Sequence, residues 1–222
     1  MEFILNIETT TTNCSVSLSK EGEILVLKED YNTQYSHAES LHVFIDELFK
    51  SSEISLSDID AIAVSKGPGS YTGLRIGVSA AKGLCFALNK PLISISTLEA
   101  LSHQIKSIEG QIVTMLDARR MEVYSAVFDS DYKQIRDINA EVLNENSFSE
   151  YLREGNVYFI GSGVEKAKSI ITHPNAIYIE NKLPSANYMG SLAHRKFIAN
   201  DFENLAYFEP YYLKDFILNK VP

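Results

Sequence analysis

The chain has 222 residues, enough for one large domain or two small lobes with a sizeable core. Apolar residues make up 45% of it, which excludes a disordered chain. The formal net charge of -9 excludes nucleic-acid binding through overall charge, because a phosphate backbone repels an acidic protein. A role in RNA chemistry therefore calls for a partner that supplies basic surface. Cys14 and Cys85 sit in apolar contexts and outside any metal-ligand spacing, as reduced thiols of a cytoplasmic protein do. Residues 1–12 lack a basic stretch followed by a long apolar one, and no apolar run reaches about 18 residues. Neither a signal peptide nor a membrane span is expected.

The pattern opens with three short strands, Phe3 to Ile7, Ser15 to Ser19 and Ile24 to Leu27, with Glu21-Gly22 as the second turn. Short connections predict an antiparallel meander. Ser36 and Glu39 form a capping box, and Ala38, Leu41, Ile45, Leu48 and Phe49 follow at helical spacing, predicting a helix over 36–49. Residues 59–64 read as a buried strand, and the loop KGPGSYTGLRIG leads into a second helix ending near Leu88. Residues 91–95 are the next strand. Strands over 111–116, 122–129, 157–161 and 176–179 follow, with helices over 164–171 and 185–200, the latter with Ser185 as its cap. Periodicity alone gives α/β. A meander followed by α-β-α-β is, by analogy, the arrangement of the actin-like (ribonuclease H-like) lobe. The expected division is 1–102 for the first lobe and 103–222 for the second, the last segment packing back on the first.

Four features carry candidate chemistry. Glu8, Thr9 and Thr10 end the first strand, where lobes of this class face a phosphate or its metal; a hydroxyl-rich turn serves equally as a tight hairpin. The turn has neither a glycine nor a nearby lysine. Gly67 and Gly69 lie in a loop that opens a helix, but the loop matches neither the Walker A pattern nor the dinucleotide fingerprint. In the following helix Gly73, Gly77, Ala81 and Cys85 recur every four residues, a small-residue stripe that suits close approach of a second helix. That helix is either the 36–49 helix of this chain or one of another subunit. His42, Val43, Phe44 and Ala38 widen the apolar face of the 36–49 helix beyond one stripe, which favours a second surface to bury. The five histidines show no metal spacing, His37 and His42 lying on different helix faces, and no G-x-S-x-G elbow marks a hydrolase.

Several segments together resemble one family in chain order: ILNIETTTTNCSVSL, SHAESLHVFIDELF, AVSKGPGSYTGLRIGVSAAKGLCFALNKPLISISTLEAL, MLDARRMEVYSAVF and EPYYLKDF. The family is TsaB (YeaZ), of tRNA threonylcarbamoyladenosine (t6A) biosynthesis, paralogous to the transferase TsaD. The resemblance implies an α/β two-lobed fold of the actin-like ATPase superfamily with a reduced second lobe, and a subunit that is not itself catalytic and pairs with TsaD through its first two helices, with TsaE binding across the pair. His37, Leu41, Phe44, Ile45, Leu48, Gly73, Leu74, Gly77, Ala81 and Leu84 are then the expected interface. A homodimer through the same patch is expected without TsaD, and contact with tRNA only through the complex. TsaD-type proteins carry H-x-x-x-H where this chain has Thr97 and Leu101, so no catalytic metal is implied. The usual first-strand Asp is Glu8 here. The implied cofactor set is nothing bound tightly, with a nucleotide confined to a vestigial cleft (Glu8, Thr9, Thr10, Gly67, Gly69) or to the complex interface. The alternatives are a metallopeptidase-like activity, which bound zinc or iron would reveal, and a small-molecule kinase, which ATP hydrolysis by the chain alone would reveal.

Overall fold

The structure is a computed structural model that describes residues 1–31, 37–106 and 108–214. The expected cap at Ser36, and Asp215 and Phe216 of the closing motif, lie outside the described residues.

The meander forms as expected: β1 (Phe3–Glu8), β2 (Cys14–Lys20) and β3 (Glu23–Asp30) pair antiparallel, with Leu5 opposite Leu18. Helix α1 (His37–Ser52) leads through a 3₁₀ turn at Leu56–Asp58 to β4 (Ala61–Gly67), which runs parallel to β1 with Ile62 beside Leu5. Helix α2 (Tyr71–Leu88), capped by Ser70 Oγ, precedes β5 (Leu92–Ser96) and the short α3 (Thr97–Ser102). The sheet order is β3-β2-β1-β4-β5.

The second sheet repeats that order. Its strands are β6 (Gln111–Asp117), β7 (Glu122–Phe128), β8 (Gln134–Val142), β9 (Val157–Ile160) and β10 (Ala176–Ile179), arranged β10-β9-β6-β7-β8. Two antiparallel pairings and two parallel ones fall in the same places as in the first sheet. This is the ribonuclease H-like order twice over, the two-lobed fold of the actin-like ATPase superfamily. The crossover helices α4 (Ser149–Glu154) and α5 (Val164–Ile170) are short, whereas α1 and α2 have 16 and 18 residues.

Strand β8 and the short helices α3 and α4 do not show in the sequence pattern. The last helix, α6 (Gly190–Ile198), starts later than expected, because Ser185 caps a separate 3₁₀ turn at Ala186–Tyr188.

Each sheet is covered on both faces. Leu41, Ile45 and Leu48 of α1 and Val78, Ala81 and Cys85 of α2 pack on Leu5, Ile7, Ile62 and Val64. On the opposite face Ala186, Met189, Leu192 and Ala193 pack on Ile4, Ala63, Ile93 and Ile95. Residues 186–208 thus complete the first lobe: Glu203 bridges Leu92, and Phe208 enters the α1–α2 core. In the second lobe Leu152, Val164 and Ala167 cover one face, and Leu98 and Leu101 of α3 join the core on the other.

Candidate functional site

Open α/β sheets place ligands beyond the carboxyl ends of their strands. In the first lobe that edge carries Glu8, the turn Thr9–Asn13 and the loop from Gly67 to Ser70. Glu8 is fully buried. Its Oε1 accepts from Thr10 N at 2.6 Å, and its Oε2 accepts from Ser65 Oγ. Burial raises its pKa above the ordinary carboxylate value, and the hydrogen bonds from Ser65 and Thr10 oppose this only in part.

Thr9 and Thr10 press against the start of α2. Thr9 Oγ1 donates to Gly73 O at 2.7 Å, and Ser70 N donates to Thr10 O at 2.7 Å. A Cβ on Gly69 would stand 2.5 Å from Thr10 Cβ, and one on Gly73 would stand 2.0 Å from Thr9 O. The space between the two loops is therefore closed by the loops themselves. On the other side of Gly67, Tyr211 N donates to Lys66 O at 2.7 Å, so the C-terminal segment lies over this loop. The five residues expected at a vestigial cleft do come together, but packed shut. They do not fit a nucleotide phosphate or its metal: the carboxylate is turned into the chain and the backbone amide of Thr10 is spent on it.

The helix stripe needs correction. A Cβ on Gly77 would lie 2.3 Å from Thr9 Oγ1, and Ala81 is part of the core under α2. The small residues admit the β1–β2 turn and the sheet, rather than a crossing helix, so Gly77→Leu would disrupt the chain itself. His37, Leu41, Ile45, Leu48, Gly73, Leu74, Gly77 and Ala81 all lie inside the chain, and so cannot themselves form an exposed interface; Phe44 and Leu84 are half-buried. His37 Nε2 lies 2.6 Å from Thr11 O, and burial lowers its pKa.

What these two helices leave open is a shallow apolar groove between them, lined by His42, Ile76, Ser79, Ala80, Gly83 and Leu84. Val43 and Phe86, 51% and 82% exposed, belong to the same two helices. Sequence reasoning named Leu84 and weighed His42 and Val43 but missed Ile76, Ser79, Ala80 and Gly83. These fall at helical spacing along the flank of α2 beside the Gly73–Gly77 stripe, but spacing alone does not tell that this flank stays uncovered.

In the second lobe the corresponding edge is open and polar. Asp117 is exposed, its Oδ1 accepting from Lys166 Nζ at 2.7 Å, and Ser162 Oγ accepts from Asp117 N at 3.0 Å. Cys14, Cys85, His103 and His194 pack or pair within the chain. Burial pushes both thiols up to about 12. His103 stacks on Tyr132 at 4.3 Å, and burial lowers its pKa to about 4. His194 pairs with Glu2.

The family model described as "TsaD: tRNA N6-adenosine threonylcarbamoyltransferase" matches residues 31–215. The tRNA threonylcarbamoyladenosine biosynthesis protein TsaB of Haemophilus influenzae is 30% identical over 96% of this chain and 93% of its own length. The chain belongs to the TsaB family. TsaB of Escherichia coli is 28% identical over 96% of this chain and 94% of its own. The solved structure of YeaZ from Pseudomonas aeruginosa superposes with a TM-score of 0.83 at 26% identity, covering 96% of this chain and all of that one. The TsaB match thus runs through both lobes and the returning segment. In this TsaB-family chain Thr97 and Leu101 are fully buried on α3. No helix of the described residues is long and apolar enough to cross a membrane.

Proposed function

We propose that this chain is a non-catalytic scaffold subunit in threonylcarbamoyl transfer to adenosine 37 of tRNA. It pairs with TsaD through the outer faces of α1 and α2, and TsaE binds across the pair. The observation that carries this reading is the contrast between two sites on one lobe. The strand edge where a catalytic relative would hold a nucleotide is filled by Thr9 and Thr10. The two long helices beside it present an apolar groove. A TsaD partner shares this chain's family model, so it offers an equivalent helix pair, and two such pairs meet about an approximate two-fold axis. Without TsaD, a second copy of the chain occupies the same groove. The chain holds no nucleotide tightly in its own cleft; a nucleotide needed by the complex sits on TsaD or at the shared interface. The chain works in the cytoplasm, where the tRNA that the complex modifies is found.

Size-exclusion chromatography with light scattering tests this on the chain alone and mixed with TsaD. A heterodimer should replace the homodimer. Ser79 is exposed in the groove, so Ser79→Arg should abolish both dimers while the chain keeps its circular-dichroism spectrum and still unfolds in one cooperative step. Absence of association with TsaD, or full association by Ser79→Arg, would sink the reading.

A further inference from the structure

The β6–β7 connection spans residues 118–121: Ala118 N donates to Glu122 O at 3.0 Å and Glu122 N to Arg119 O at 3.1 Å. Its two middle residues, Arg119 and Arg120, both have positive φ, 71° and 50°. The β2–β3 turn also has two successive positive φ values, but there the second residue is Gly22. Glycine adopts this region freely, whereas a residue with a Cβ is strained in it. Asp117 Oδ1 accepts from Arg119 N at 2.6 Å, but among the described residues neither arginine side chain makes a contact that offsets the strain. Both arginines are exposed, and neither guanidinium has an ion pair or hydrogen bond among the described residues. Two successive residues in a strained conformation, with both guanidiniums left to solvent, point to a function outside the chain.

The charges around the loop agree. Asp117 is occupied by Lys166 Nζ and by Arg119 N, and Glu122 by Lys214. Both carboxylates flanking the loop are thus paired with lysines, which leaves the guanidiniums of Arg119 and Arg120 without an ion pair among the described residues. Met121, at the same tip, is 39% exposed, so the loop projects. A projecting pair of guanidiniums suits the repeating phosphates of a polymer, since a small anion needs groups that enclose it.

We propose that Arg119 and Arg120 contact the phosphate backbone of tRNA directly. This extends the scaffold reading above and rests on it for the choice of RNA. The test is fluorescence anisotropy with a labelled unmodified tRNA, between about 50 and 200 mM KCl, using the chain alone and the chain with TsaD. The variant Arg119→Asn/Arg120→Gly removes both charges while supplying residues that tolerate positive φ. It should bind about tenfold more weakly, with a salt dependence of log Kd shallower by about 1.5. Its melting temperature should stay equal or rise by about 2–4 °C, because strain is relieved. Arg119→Lys/Arg120→Lys should restore most of the binding. Equal affinity and equal salt slope for wild type and Asn/Gly variant overturn the proposal, as does absence of wild-type binding in both settings. Failure of the chain to co-elute with TsaD counts against the scaffold reading instead, and the chain-alone titration then decides this one.

Discussion

The two lobes have one strand order and opposite fates. In the first, the edge beyond β1 and β4 is closed by its own side chains, and its two long helices carry an unpaired groove. In the second, the edge beyond β6 and β9 is open and charged, while its helices are of six and seven residues and only cover the sheet. The same topology therefore supports two kinds of surface. A lobe that fills its strand edge gains core and is left with helix faces for a partner. A lobe that leaves the edge open keeps polar groups available to solvent and ligand.

The comparison can be broken most strongly at the closed edge. Gly73→Ala would drive a Cβ into the Thr9 carbonyl, 2.0 Å away, and a backbone atom cannot yield easily. We expect a loss of more than about 3 kcal/mol in denaturant unfolding. Gly163→Ala, at the start of α5, meets a side-chain methyl of Val123 at 2.9 Å and should cost about 1 kcal/mol. Equal losses at the two sites would mean that the edges are closed alike.

A smaller effect comes from Glu8. Burial raises its folded pKa above the ordinary 4.5, so the native state holds that proton more tightly than the unfolded chain. Its contribution is best in acid and is lost as pH rises from about 4.5 through the raised folded value. Glu8→Gln cannot ionise, and its amide can still accept from Thr10 N and donate to Ser65 Oγ. Melting curves should show the Gln variant matching wild type near pH 4 and exceeding it near pH 7, by an amount on the order of a few degrees. Parallel curves would contradict a buried, reluctantly ionised carboxyl. The smallest effect belongs to the equivalent carboxylate of the open edge. Asp117→Asn loosens an exposed pair with Lys166 and should change stability by less than about 0.5 kcal/mol.

The first lobe was legible because its strands and helices bury apolar residues at regular intervals. Residues 41, 45 and 48 are spaced for one helix face, and that face is the core. Strand β8 escaped notice because it is an edge strand, its exposed residues Gln134, Ile135 and Asp137 interrupting any apolar alternation. Helix α4 has six residues, buries only Leu152, and has no side-chain cap at Phe148. The repeat of strand order was invisible because topology is set by where apolar positions fall, and the two lobes share no residues that mark it. At the site, a period of four showed that Gly73, Gly77 and Ala81 share a face but not what the face meets. Only the register of Thr9 against α2 decides that. The family resemblance carried the rest, since no spacing rule connects Ile76 to Gly83 as a groove.

The return of the chain to its first lobe has a consequence for synthesis. Ala186, Met189 and Leu192 cover Ile4, Ala63 and Ile93, strand residues made some 90 to 190 positions earlier. At a translation rate of about 5–20 residues per second, that sheet waits several seconds or more with one apolar face bare. The nascent first lobe is therefore a candidate for chaperone binding until α6 leaves the ribosome, and the chain matures from its last helix backwards.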